Sequence, residues 1–249
     1  MKDVAYIQTV NGQFSNINFF TAALAMSKFF GYRVQTFEAS ELESLPITKD
    51  TPVFGGIPIM DKVFKKLGRT VLVPYYPSEL NWFLGRNVSS STVKDFRKLF
   101  EDGAEAYFIK PTEKEKKLFT GHVVAKWADL ILTAHIESDK SIYISDVLAF
   151  KTEYRVFVHR DSGILGVKHY AGDWSIVPNR TLIERAIADF KEGPIAYSLD
   201  VGVTEAGITR LVECNDACSL GCYGLDASCY GRMLLDRWNQ VMNQNESSR

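Results

Sequence analysis

No stretch of this 249-residue sequence comes near the ~18 consecutive apolar residues that a membrane-spanning helix requires. Its opening, MKDVAYIQTV, lacks the basic, apolar and small-residue order of a secretory signal. A soluble, cytoplasmic protein with no membrane partner is expected. Charge of one sign is missing too. Lysine and arginine number 29 against 30 aspartates and glutamates, a formal net charge of −1, so no nucleic-acid partner is expected. Cysteine is scarce and late, at Cys214, Cys218, Cys222 and Cys229. That CxxxCxxxC spacing lacks the paired knuckles of a zinc ribbon, and a cytoplasmic setting disfavours disulfides. Buried, incidental thiols are the expectation.

Common nucleotide motifs are absent as well. GxxxxGK[ST] occurs nowhere, and no GxGxxG follows the first strand candidate, so neither a P-loop nor a dinucleotide fingerprint is present. His159-Arg160-Asp161 spells the HRD of protein kinases, but Gly166 stands where that pattern needs Asn. No DFG or APE follows in order, and the tripeptide falls at a turn.

What is present is a 46% hydrophobic chain, enough for one large domain or two modest ones. Strand candidates at Val4 to Val10, Arg33 to Phe37, Pro52 to Gly55 and Thr70 to Val73 alternate with helix candidates at Ile17 to Phe30 and Ile59 to Leu67. This alternation predicts a small parallel α/β unit over 1–90. Ligands of such sheets lie beyond the carboxyl ends of the strands, here Thr9, Asn11, Gly12, Gly55 and Gly56, although the two adjacent glycines also suit a tight strand-to-helix turn. The polar run Asn87 to Ser91 reads as a seam, with Ser90 or Ser91 capping a helix from Val93 to Glu101. A second domain is expected over 91–249.

Ala106 to Lys110 is a short strand that ends in a lysine before Pro111, followed by the charged segment TEKEKKLFTG. A lysine closing a strand needs either a partner or an edge open to water. Glu153 to His159 and Ile164 to Tyr170 form a hairpin through a four-residue turn, which sets Arg155 opposite Lys168 on one face with Glu153. Two opposed cations either bend apart into solvent or hold a polyanion between them.

A second hairpin spans Tyr197 to Asp216. Taking Ala206-Gly207 as its loop puts Asp200 opposite Glu213 and Val201 opposite Val212. Leu199, Val201, Val203, Val212 and Cys214 then share one face, and Ser198, Asp200, Glu213 and Asn215 the other. The polar face fits two readings: acids in solvent, or oxygen ligands around a hard cation such as magnesium. Beyond it, Gly221, Tyr223 and Gly224 make a loop bordering that face, and a helix from Cys229 to Met242 carries an apolar stripe.

A strand-closing lysine, a Glu-x-Arg strand, an opposed lysine, then an Asp and a Glu-x-Asn on a hairpin: in this order the chain resembles the ATP-grasp superfamily. The stretches that carry the likeness are FIKP, TEYRVFV, GVKHY, SLDVGV and LVECNDACSLGCYG. It is most similar to the compact clade named for two arginines and a lysine, common in phage and bacterial genomes. The resemblance implies a parallel α/β unit followed by an ATP-grasp fold with antiparallel sheets. It further implies that Lys110 contacts the adenine side and the α-phosphate, that Asp146 and Val147 offer main-chain bonds to adenine, and that Glu153 binds the ribose. Arg155 and Lys168 match triphosphate ligands; Asp200, Glu213 and Asn215 match the magnesium set. Ser198 stands where many ligases of the superfamily carry an arginine, and the usual glycine-rich lid is reduced to Gly121. The implied activity is ATP- and magnesium-dependent joining of a small-molecule or peptide carboxylate to an amine. The alternatives are a kinase of the same fold, a non-catalytic nucleotide-binding module, and an α/β scaffold that binds no nucleotide.

Overall fold

The computed structural model describes residues 3–71, 73–101, 105–115 and 118–244. Strands β1 (Val4–Gln8), β2 (Arg33–Phe37) and β3 (Val53–Phe54) make a parallel sheet in the order β2-β1-β3. Helix α1 (Ile17–Lys28) follows β1 and is started by Asn16, whose side chain accepts from the N–H groups of Asn18 and Phe19. Helix α2 (Ile57–Lys66) follows β3 with Pro58 in its first turn, where a missing N–H is harmless. The fourth strand expected over Thr70 to Val73 does not form: Thr70, Val71 and Val73 lie outside any strand, and Leu72 is outside the described residues. The chain turns instead through Pro74 and Pro77 into a short helix, α3 (Asn81–Leu84), where two prolines deny a strand its ladder donors.

The expected seam contains a strand. Val88–Thr92 is strand β4, which pairs antiparallel with β7 (Ser141–Asp146). Three serines and a threonine sit on this edge, where polar side chains reach water. The cap of α4 (Val93–Glu101) is Thr92 rather than Ser90 or Ser91: its Oγ1 accepts from the Asp95 N–H at 3.1 Å and donates to the Asp95 carboxylate at 2.8 Å. Strand β5 (Tyr107–Pro111) pairs with β7 and with β6 (His122–Val124), completing a sheet ordered β4-β7-β5-β6. Pro111 is the last strand residue and does not lie beyond it.

The largest sheet is antiparallel, ordered β11-β10-β8-β9, from β8 (Phe150–His159), β9 (Gly163–Gly172), β10 (Ala196–Thr204) and β11 (Thr209–Asp216). Helix α5 (Arg180–Asp189) joins its two hairpins, and α6 (Ala227–Asn243) follows them. Strict alternation divides its faces. Tyr154, Val156, Val158, Leu199, Val201 and Leu211 pack on one side with Phe83, Leu84, Ile183 and Ala186. Along the other side of β8 the environment changes with each step of two residues. His159 meets Asp236 of α6, and Phe157 lies in the core shared by α1, α6 and the parallel sheet. Arg155 is buried against Asp200, and Glu153 lines the cavity that faces the β4–β7 sheet. Burying a full Phe side chain here is worth about 2 to 3 kcal/mol.

The β10/β11 register differs from expectation in one half. Asp200 opposes Glu213, but Val201 opposes Leu211, because the strand is bulged at Val212. The turn is longer by one residue: the Thr204 N–H donates to Ile208 O and the Gly207 N–H to Thr204 O, with Gly207 at φ +73°. The extra turn residue and the bulge offset each other, so the site half keeps its pairing while Val212 is turned away from the core face.

Candidate functional site

Between the large sheet and the β4–β7 sheet lies a cavity of about 240 Å³. Phe108, Val123, Leu148, Phe150 and Val212 give it apolar walls, and Lys110, Asp146, Val147, Glu153 and Glu213 are the expected site residues that line it. The bulge explains Val212 here. Gly202 and Gly121 allow close approach: a Cβ on Gly202 would lie 2.3 Å from the Phe150 ring, and one on Gly121 2.7 Å from Phe108.

At the inner end two carboxylates oppose each other on the hairpin, each held by a cation. Lys110 Nζ pairs with Glu213 Oε2. Arg155 clasps Asp200 from the neighbouring strand, Nε donating to Oδ1 at 2.7 Å and Nη2 to Oδ2 at 2.6 Å. The Asn215 amide spans the pair, Nδ2 donating to Asp200 Oδ2 at 3.2 Å and to Glu213 Oε1 at 3.0 Å. Asp200 is only 3% exposed, and burial pushes its carboxyl up to about 6 although the Arg155 hydrogen bonds and charge work the other way. Burial acts on Glu213 in the same sense, but the Lys110 ammonium and the Asn215 amide hold it below its ordinary value.

Lys168 lies opposite Arg155, as the hairpin predicts. Among the described residues it makes no hydrogen bond or ion pair, and the charge beside Arg155 is balanced by Asp200 on the other flank. Glu153 accepts from the Tyr170 hydroxyl at 2.7 Å. Burial, then the charges of Asp200 and Glu153, raise the Tyr170 pKa and keep its phenol a donor. The main-chain pair at Asp146 and Val147 is divided. The Asp146 N–H donates to Asn87 O, its carbonyl accepts from Ser145 Oγ, and its side chain accepts from Asn87 N and Nδ2. Val147, 44% exposed, has its backbone groups unbonded among the described residues.

Several lining residues carry no clear sequence signal. Arg86 borders the cavity and donates from Nη1 to Leu211 O at 2.8 Å and from Nη2 to Val212 O at 2.9 Å, bonding the bulge. Lys110 Nζ stands 3.5 Å from the Tyr75 ring centroid and 5.6 Å from that of Tyr76. Glu113 accepts from the Tyr75 N–H and from the Tyr143 hydroxyl, fixing this aromatic wall. Two tyrosines between prolines read as a turn, which hides their role. Ser198 is fully buried on the site face, opposite Asn215, and its hydroxyl has no hydrogen-bond partner among the described residues.

The ends of the parallel strands lie elsewhere. Thr9 Oγ1 donates to Phe37 O at 3.1 Å, and Asn11 and Gly12 form a turn with φ of 54° and 73°. Gly55 and Gly56 border a second cavity of about 180 Å³ with Ser219, Leu220 and Gly221 from the loop after β11. Gly55 also admits Gln8, whose Oε1 would be 2.9 Å from a Cβ there. Of the four cysteines, Cys214 and Cys222 are buried and Cys218 and Cys229 half-buried.

Among the described residues, no three His, Cys, Asp and Glu gather as a metal cluster. The hairpin set is two carboxylates and an amide. Its oxygens suit magnesium, which takes few protein ligands, provided that the Asn215 amide turns from donor to acceptor.

A family profile described as an ATP-grasp domain, family 2 of the clade named for two arginines and a lysine, matches residues 83–233, more than half of the chain. Three solved structures show the same fold. D-alanine–D-alanine ligase from Bacillus anthracis superposes with a TM-score of 0.58 at 14% identity, covering 97% of this chain and 98% of its own. An ATP-grasp RimK domain protein from Sphaerobacter thermophilus gives 0.55 at 14% identity, covering 94% and 99%. The Bacillus ligase complexed with ATP gives 0.51 at 14% identity, covering 97% and 98%. A search of curated proteins finds no match to the chain.

Proposed function

The chain belongs to the ATP-grasp clade named for two arginines and a lysine, and on that premise we propose that it is an ATP-dependent ligase that joins a carboxylate to an amine through an acyl phosphate. The observation that supports this most is the charge set at the inner end of the 240 Å³ cavity, two opposed carboxylates each held by one cation. Each cation has an anionic partner to exchange.

In this reading the adenine lies between Phe108, Val123 and Leu148, with its edge on the free backbone of Val147, and the ribose on Glu153. Lys110 and Arg155 leave Glu213 and Asp200 for the phosphates, and Lys168 adds charge from the strand beside Arg155. Arg86 is the arginine that lines the cavity wall. Asp200, Glu213 and Asn215 would hold magnesium, which neutralises charge on the phosphates when bound.

The carboxylate oxygen attacks the γ-phosphorus, the bond to the β-phosphate oxygen breaks, and ADP leaves. The amine nitrogen then attacks the acyl carbon, phosphate departs, and the amine loses a proton. No side chain need bond covalently to substrate. Lys110 and Arg155, once released by Glu213 and Asp200, meet the charge that develops on the phosphates. The 1–90 unit, through the second cavity, helps to choose the substrate.

The test is incubation with ATP, magnesium, hydroxylamine and a panel of small and peptide carboxylates. A hydroxamate formed together with ADP supports the ligase. ADP with a phosphorylated product inert to hydroxylamine identifies a kinase, and absence of both products with every carboxylate contradicts the proposal.

A further inference from the structure

The loop after β11 holds a side chain that neither the strands nor the charge set explain. Tyr223 has φ +45°, a region a bulky residue rarely occupies. The other non-glycine residue with positive φ among those described is Asn11, a type that tolerates it. The Tyr223 ring is not placed by burial, being 46% exposed. It lies over the Arg155 guanidinium, 4.6 Å from carbon to centroid, and against Tyr170 at 5.6 Å.

The backbone around it is shaped for that contact. A Cβ at Gly221 would lie 2.9 Å from the Tyr223 ring and 3.6 Å from Arg155 Nη1, so only glycine lets the two meet there. Gly224 follows at φ +75°, and the Leu225 N–H closes the turn on Cys222 O at 2.7 Å. The Cys222 N–H donates to Asn18 Oδ1 at 2.8 Å, and Ser219 Oγ to Gly55 O at 3.0 Å, which anchor the loop on the parallel unit. Arg155 is thus held twice, by the Asp200 carboxylate and by the face of a ring.

We infer that Tyr223 is a positioning residue that keeps the Arg155 guanidinium aimed at the nucleotide's phosphates once Asp200 lets go. This rests on the proposed reading of Arg155 as a phosphate ligand. An arginine freed from its carboxylate regains its rotamers unless something else restrains it. A ring face does so without competing for the N–H donors that the phosphate needs. Phenylalanine supplies the same face, and leucine does not.

The experiment is calorimetric titration of wild type, Tyr223→Phe, Tyr223→Leu, Arg155→Gln and the Arg155→Gln/Tyr223→Leu double variant. The ligands are AMP-PNP with magnesium, and AMP, which lacks the β- and γ-phosphates. Expected are about tenfold weaker AMP-PNP binding by Tyr223→Leu, near wild-type binding by Tyr223→Phe, and unchanged AMP binding by both. In the Arg155→Gln background, Tyr223→Leu should add nothing. Wild-type AMP-PNP binding by Tyr223→Leu while Arg155→Gln is weakened overturns the positioning role alone. Equal weakening toward AMP shows a disturbed loop and also overturns it. If Arg155→Gln binds AMP-PNP like wild type, the reading of Arg155 itself has failed, and the inference with it.

Discussion

The β10/β11 hairpin carries two buried aspartates, each clasped by an arginine through Nε and Nη2. Asp216 accepts from Arg237 at 2.8 and 2.7 Å, Asp200 from Arg155 at 2.7 and 2.6 Å. Their surroundings differ. Asp216 also accepts from the Cys218 N–H, and Arg237 Nη1 donates to Gln240, so that pair is closed among α6, the hairpin end and the neighbouring core. The Asp200 pair has a second carboxylate beside it, an amide bridging the two acids, and a cavity at its edge. One geometry is closed by its own neighbours at Asp216; at Asp200, in the proposed reading, it is a site where partners are exchanged.

Asn substitutions should separate the two roles. The largest effect expected is on ADP formation with a carboxylate identified by the hydroxylamine screen. Asp200→Asn should lower it at least about a hundredfold, whereas folded Asp216→Asn should keep wild-type turnover. Next in size is stability, read by denaturant unfolding. Asp216→Asn leaves Arg237 charged and enclosed, and should destabilise by about 3 kcal/mol or more. Asp200→Asn should cost less, because Arg155 retains Glu213 nearby and the cleft beside it.

Titration offers a smaller and independent contrast. Burial raises the Asp200 carboxyl from 3.8 to about 6 in the folded protein, so the folded form takes up that proton more readily than the unfolded chain. The group's stabilising contribution is greatest below pH 3.8 and is lost as pH rises through about 6. Between pH 7 and pH 5, therefore, acidification should stabilise wild type relative to Asp200→Asn in nucleotide-free melts; parallel curves would contradict this. The smallest effect expected is at Ser198. Its buried hydroxyl makes no bond among the described residues, so Ser198→Ala should shift stability by no more than about 1 kcal/mol. A larger loss would mean that the hydroxyl has a partner in solution.

Much of this was legible in the sequence, for identifiable reasons. Turn placement put Asp200 opposite Glu213 and Arg155 opposite Lys168, with bulges in both hairpins offsetting the actual turn lengths, and Pro and Gly marked most element ends. The pairing of Asp200 with Arg155 was not legible, because β8 and β10 are neighbours in the sheet but separated in sequence by β9 and α5. Val212 was assigned to the core face because a bulge leaves no local mark in an apolar strand. The strand within Asn87 to Ser91 was not legible because an edge strand of serines has loop composition. Arg86, Tyr75 and Tyr76 were missed for a related reason: they sit in irregular chain whose position is set by tertiary contacts rather than by period.

The central claim is that the Asp200 end of the hairpin binds magnesium and nucleotide while the Asp216 end only holds the fold. The most direct test is titration of wild type, Asp200→Asn and Asp216→Asn with a non-hydrolysable ATP analogue, with and without magnesium. Magnesium should strengthen binding to wild type and to Asp216→Asn, and have little effect on Asp200→Asn. Equal magnesium dependence in Asp200→Asn, or absence of binding by wild type, would contradict the account.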